Sequence, residues 1–181
     1  KINGKIHIVA AVKDQTYIRK LEYKTQIEPF TNLANKDTIK QSLGTEIERS
    51  RRHEHSLSII FIDIDRFKTI NDEHGHQVGD DVIKALSDCI ALRVRDSDVL
   101  GRFGGDEFII ICPECTGYQA AVIAEQIRLN ITKLKIHDLQ ITISLGITEC
   151  QNQDTVKTLL DRADRALYEA KEDGRNTIKL I

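Results

Sequence analysis

Gly101-Arg102-Phe103-Gly104-Gly105-Asp106-Glu107-Phe108 runs directly into Ile109-Ile110-Ile111. Paired glycines tolerate positive φ in a two-residue hairpin turn. The apolar, mostly β-branched residues after them have the makeup of a buried strand. The order predicts strand, tight turn, strand over residues 98–103 and 107–112. Asp106 and Glu107 then stand at the tip of a hairpin anchored in buried β-structure. A surface turn needs polarity but not two adjacent carboxylates. On these residues alone, a plain polar turn and a charged site stay equally open.

A second stretch bears on the choice. Leu57-Ser58-Ile59-Ile60-Phe61-Ile62-Asp63-Ile64 is strongly β-prone and closes on Asp63, with Asp65 just beyond. In α/β domains, chemistry gathers at the ends of buried strands. If Asp63 lies beside the hairpin tip, three carboxylates converge. Two unit charges about 4 Å apart repel by roughly 4 kcal/mol at an effective dielectric of about 20. A cation relieves that cost, and hard oxygen ligands with phosphate nearby suit magnesium. The alternative for Asp63 is a simple cap on the strand end.

Together, Gly104–Phe108 (G-G-D-E-F) and Phe61–Asp80 (F-I-D-I-D-R-F-K-T-I-N-D-E-H-G-H-Q-V-G-D) resemble the GGDEF domain of bacterial diguanylate cyclases. The resemblance runs from about Glu28 to the C-terminus. It implies a ferredoxin-like, palm-type α+β fold, with a mixed or antiparallel sheet flanked by helices as in nucleotide cyclases. It also implies condensation of two GTP into cyclic di-GMP with release of two pyrophosphates, each 3′-hydroxyl attacking the other's α-phosphorus. By residue match, magnesium (or manganese) is held by Asp63, the backbone carbonyl of Ile64, Asp106 and Glu107. Asp106 is the expected catalytic acid, and Glu107 a further ligand or a proton carrier. Their division of labour stays open.

The same resemblance assigns the substrate contacts. Backbone N–H groups of Arg66, Phe67 and Lys68 meet the phosphates, and Lys171 with Arg175 grips the terminal one. Asn71 and Asp80 read guanine, His76 lies against the nucleotide, and Gly104 with Gly105 lets it approach the backbone. Arg95 and Asp98 form an R-x-x-D inhibitory site for cyclic di-GMP. Each has a plainer reading. Lys171 and Arg175 suit a helix C-terminus. Asn71 suits a helix cap, Asp80 a first helical turn, and His76 structural packing. Arg95 with Asp98 suits a surface ion pair worth about 0–1 kcal/mol. The family's linker motif, D-x-L-T-G-L-x-N-R-R, is imperfect here: Glu28, Phe30, Asn32 and Lys36-Asp37 replace Asp, Leu, Gly and Arg-Arg. Asn is the non-glycine residue best suited to a left-handed turn. The altered linker slightly favours a rival reading, a GGDEF-like receptor that binds GTP or cyclic di-GMP with weak or no turnover, but the complete G-G-D-E-F and Asp63 argue against it. A cyclase making a monomeric cyclic nucleotide shares the fold, but Asn71 and Asp80 argue against it.

Composition sets the remaining bounds. The 181 residues suit one domain with an appendage, and 40% hydrophobic content is enough for a core. A net charge of −2 argues against a dedicated nucleic-acid binder, and the absence of Trp argues against a base-stacking platform. No apolar run approaches the ~20 residues of a membrane helix, and no signal peptide is visible. The expected setting is cytoplasmic, without membrane contact by this piece. The chain opens at Lys1 and holds no Met, so it reads as part of a longer protein that is free to carry an anchor elsewhere. Cys112-Pro113-Glu114-Cys115 has C-x-x-C spacing but no second ligand pair, so Cys89, Cys112, Cys115 and Cys150 read as free thiols. His53-Glu54-His55 reads as a solvated charged face.

Residues 1–27 read as the end of an upstream sensor domain, with a strand over 5–12 and a linker helix over 17–28. They resemble the close of a PAS-type domain or are an arbitrary extension. Residues 28–181 form the GGDEF-like domain. Helices are predicted over 36–54, 78–94, 118–134 and 155–173, a short helix or turn over 66–71, and strands over 139–150 and 177–181. No internal repeat is visible. One domain holds one GTP while the product needs two, so catalysis by a homodimer is expected.

Overall fold

A computed structural model describes residues 26–181; the expectations for the strand over 5–12 and most of the linker helix lie outside them. In chain order the elements are α1 (Lys36–His53), β1 (Leu57–Ile64), α2 (Phe67–His74), α3 (His76–Ala91), β2 (Val99–Arg102) and β3 (Glu107–Pro113). Then follow α4 (Gly117–Ile131), β4 (Lys135–Ile136), β5 (Leu139–Gln140), β6 (Ile143–Glu149), α5 (Val156–Glu172) and β7 (Ile178–Leu180). The main sheet has the order β2-β3-β1-β6-β7. Its pairs are antiparallel except β6 with β7. This is the mixed α+β architecture expected from the sequence.

β1 sits at the centre and is buried at all eight positions, which is why it reads as a near-continuous apolar run, broken only by Ser58 and Asp63, rather than an alternating one. Its alternate residues still serve opposite faces. Ile60, Ile62 and Ile64 join Val82, Leu86 and Ile90 of α3 and Ala124 and Ile127 of α4. Leu57, Ile59 and Phe61 join Ile39, Leu43 and Ile47 of α1 and Leu159, Ala163 and Leu167 of α5. Helix starts are set by side chains. Asn35 accepts from the Thr38 N–H, and Thr116 with Gln119 forms a capping box.

The altered linker keeps a defined turn. The Glu28 carboxylate accepts from the Phe30 and Thr31 N–H groups and from Thr31 Oγ1 at 3.0, 2.8 and 2.7 Å. Asn32 takes the left-handed φ of 58° that glycine would otherwise supply. Ala34 then bridges to Gly101 on β2, so the linker is seated on the sheet edge.

The short helix or turn expected over 66–71 is a helix over 67–74, separated from α3 by Gly75 at φ 85°. Two expectations are corrected. The predicted strand over 139–150 is split into the short β5 and β6, and β5 turns back on β4. Gly104 and Gly105 do not use positive φ; among the described glycines only Gly75 and Gly174 do. The tip is wider than a two-residue turn, because Phe103 and Gly104 donate their N–H groups to the Glu107 carbonyl at 2.8 and 3.3 Å.

Candidate active site

The site is built where β1 ends and its antiparallel neighbour β3 begins. Register sets Asp63 opposite Glu107 on one side and Ser144 of β6 on the other. Asp63 is 7% exposed and meets Lys171 Nζ at 2.9 Å. Burial pushes its carboxyl up to about 6; Lys171 opposes this, and the charges of Asp106 and Glu107 add to it. Burial, followed by the Asp106 charge, raises Glu107 as well. The three acids therefore interact as a cluster, with Lys171 as the counter-charge facing them.

Two close approaches make this possible. A Cβ on Gly146 would lie 2.2 Å from Leu167 N and 2.3 Å from Ala163 O. Only glycine lets α5 settle so closely on β6, and that seating carries Lys171 in its last turn to Asp63. A Cβ on Gly104 would lie 2.4 Å from Glu107 Oε2, so this glycine makes room for the carboxylate. Gly105 faces open space. Its carbonyl accepts twice from the Arg102 guanidinium, at 3.1 and 2.7 Å, which pins the tip.

A cavity of about 230 Å³ is lined by Asp63, Ile64, Asp65, Arg66, Phe67, Lys68, Asp106, Lys171 and Arg175. The predicted metal and phosphate residues are thus brought together, Glu107 adjoining them by strand pairing. Arg66, at φ 56°, leads into the N-terminus of α2, where free backbone amides favour anions. Asn71 and Asp80 are half-buried on α2 and α3 and are not among the residues that line this cavity. A Cβ on Gly79 would fall 2.0 Å from Asn71 Oδ1, so the Asn71 amide lies directly over the residue that precedes Asp80. Asn71 is inside its helix rather than at the N-cap, and α3 has no acid in its first turn, so neither plainer reading fits. His76 is exposed at the start of α3, away from the cavity lining.

Arg95 and Asp98 sit in the loop between α3 and β2 and do not line the cavity. Asp98 Oδ2 accepts from the Arg95 N–H at 2.9 Å, and the Arg95 carbonyl accepts from the Asp98 N–H at 3.0 Å. The contact is a backbone-held turn with no ion pair between the two side chains.

The donor set suits a hard cation. Among the described residues no group of three or more His, Cys, Asp or Glu is arranged to hold a metal by itself. Magnesium does not require one, since it keeps waters and binds through one or two carboxylates plus substrate phosphate. Although burial is the main cause of the raised Asp63 carboxyl, the charges of Asp106 and Glu107 also contribute to it, and those neighbouring acids are what favour a positive charge here. All four cysteines are free thiols.

Sequence reasoning gave no role to Asp65, which is as buried as Asp63 at 7% exposure. Its spacing of two from Asp63 was a signal that both acids lie at one strand end. Gly79, Gly146 and Arg102 were also missed, because close approaches and tip contacts depend on partners distant in sequence.

The chain matches the family described as diguanylate cyclase, GGDEF domain, over residues 25–177. It is 33% identical over 163 residues to the diguanylate cyclase DgcS of Shewanella oneidensis, covering 90% of this chain and 55% of that protein. It is 34% identical over 161 residues to the diguanylate cyclase DgcP of Pseudomonas aeruginosa, covering 87% of this chain but 24% of that one. The chain thus spans only part of these relatives. Among solved structures, the coiled coil and GGDEF domain of DgcB from Caulobacter crescentus, in complex with c-di-GMP, matches with a TM-score of 0.91 at 26% identity, covering 98% of this chain and 96% of that one. The active GGEEF domain of a Vibrio cholerae diguanylate cyclase matches with a TM-score of 0.78 at 33% identity, covering 82% and 97%. No helix among the described residues is long and apolar enough to cross a membrane. With the family's pattern matched over residues 25–177 and Asp63 paired opposite Glu107 where β1 ends and β3 begins, the chain belongs to the GGDEF family of diguanylate cyclase domains.

Proposed function

We propose that this chain condenses two GTP molecules into cyclic di-GMP and two pyrophosphates. The observation that supports this reading is the meeting of Asp63 with Glu107 across paired strands, with Asp106 close enough to help raise Asp63 and Lys171 facing both. GTP phosphates enter the cavity between the α2 N-terminus and Lys171 with Arg175. Asn71 and Asp80 offer an amide and a carboxylate to the guanine edge. The 3′-hydroxyl of one GTP attacks the α-phosphorus of the other. A P–O bond forms, pyrophosphate leaves with the bonding pair, and the hydroxyl proton passes to the carboxylates of Asp106 and Glu107. Asp63, the Ile64 carbonyl, Asp106 and Glu107 would hold magnesium, or manganese, which supplies charge neutralisation at phosphate and a more acidic hydroxyl.

One cavity at these acids serves one nucleotide, so the proposal includes a two-fold homodimer that makes both attacks equivalent. It also includes inhibition by cyclic di-GMP at Arg95 and Asp98. Asp106→Ala should abolish turnover of GTP with magnesium while circular dichroism stays unchanged; near-normal turnover would overturn the catalytic assignment. Specific activity should rise with protein concentration. A flat value in a protein shown by light scattering to be monomeric would overturn the pairing.

A further inference from the structure

We propose that Asp65 is a positioning residue for nucleotide phosphate: its carboxylate holds the Gly174-Arg175-Asn176 turn in a left-handed backbone that delivers Arg175 to the cavity. The inference rests on the reading that this cavity receives GTP.

Three successive residues of the turn have positive φ: Gly174 at 109°, Arg175 at 65° and Asn176 at 46°. Glycine adopts this region freely; arginine, and to a lesser degree asparagine, do so against a steric cost. Strained backbone of this kind persists only where its surroundings hold it. Here the holding contacts are few and specific. The Asn176 N–H donates to Asp65 Oδ2 at 2.9 Å. Arg128 Nη1 donates to the Asn176 carbonyl and to Asn176 Oδ1 at 3.2 and 2.8 Å. The Arg175 N–H donates to the Ala170 carbonyl at 3.2 Å.

Asp65 is itself firmly placed. Its Oδ2 also accepts from Thr142 Oγ1 at 2.7 Å, and its Oδ1 from Ser144 Oγ at 2.6 Å. Its own N–H donates to the Thr142 carbonyl at 3.0 Å. Both oxygens are therefore committed to neutral donors, unlike those of Asp63, which faces Lys171. The tether links the two halves of the phosphate site. Asp65 precedes Arg66 at the start of α2, and its carboxylate fixes the residue after Arg175. Arg175 lines the 230 Å³ cavity, and it also lines an adjoining one of about 350 Å³ that shares Asp65 and Arg66.

The test is GTP affinity by calorimetry, with steady-state turnover alongside. Asp65→Ala should weaken GTP binding and raise KM about tenfold with little change in kcat, the pattern of lost ground-state binding. Asp65→Asn should stay near the parent, because an amide oxygen keeps the Asn176 and Thr142 donors and the amide nitrogen can donate to Ser144. Adding Asn176→Gly to Asp65→Ala should restore affinity, since glycine needs no tether to hold positive φ. Asn176→Val, which keeps Asp65 intact, should reproduce the loss. Parental affinity in folded Asp65→Ala, or no rescue by Asn176→Gly, would overturn the inference. Loss in Asp65→Asn equal to that in Asp65→Ala would overturn it in favour of a charge-dependent role such as metal ligation. Failure of the parent itself to bind GTP would instead remove the underlying reading, and the inference with it.

Discussion

Replacing Asp63 by asparagine should stabilise the metal-free protein at neutral pH. The Asp63 carboxyl moves from an ordinary value of 3.8 to about 6 in the fold, chiefly through burial, against the opposing pull of Lys171. A raised carboxyl means that the folded state holds the proton more tightly than the unfolded one. Stability from this group is therefore fully present below pH ~4 and is lost as pH rises through about 6. Two pK units correspond to about 3 kcal/mol, an upper bound on the cost above pH ~7. Asparagine keeps the shape and removes the charge. Lys171 is 32% exposed and turns to water when its partner is neutral, so little is lost there. Glu107 is raised in both proteins, and its effect largely cancels in the difference. For a domain of this size, Tm should rise by roughly 5–10 °C at pH 8, with the gap closing towards pH 4. Thermal melts by circular dichroism in chelator, from pH 4 to 8, measure this directly. Parallel pH–stability curves, or a less stable Asp63→Asn at pH 8, would refute the argument that function keeps a destabilising charge here.

Gly104→Ala should lower turnover at least tenfold, because the new Cβ meets Glu107 Oε2 at 2.4 Å, whereas Gly105→Ala meets open space and should be milder; equal effects would contradict the packing argument. Asp80→Ala should weaken GTP binding about tenfold, the order expected for a lost charged hydrogen bond, and equal binding of ATP and GTP by the parent would sink the guanine assignment. Arg95→Ala should remove calorimetric binding of cyclic di-GMP at that loop while leaving GTP turnover at low product unchanged; undiminished binding would return the motif to a simple surface turn.

Much of the fold was legible because its centre is extreme. Leu57–Ile64 is buried on both faces, so its sequence is apolar apart from Ser58 until it reaches Asp63. α1 and α5 announce themselves by apolar spacing and by Asn35 and Thr155 at their starts. What the sequence hid was long-range. The register of Asp63 against Glu107 depends on the pairing of separate strands. The need for Gly104 lies in a carboxylate beside it rather than in its φ, and turn propensity alone points to the wrong cause. The division of residues 139–150 follows from β4, whose pairing with Leu139–Gln140 pulls that end out of the main sheet. Asp65 was visible as an acid but not as a tether, because its donors come from Thr142, Ser144 and Asn176.

The most direct test of the central claim is to incubate the purified protein with GTP and magnesium and to separate the products by chromatography. The account predicts cyclic di-GMP and two pyrophosphates for each molecule formed, with none from Asp106→Ala. GTP that binds but stays intact, or a monomeric cyclic nucleotide as product, would contradict it.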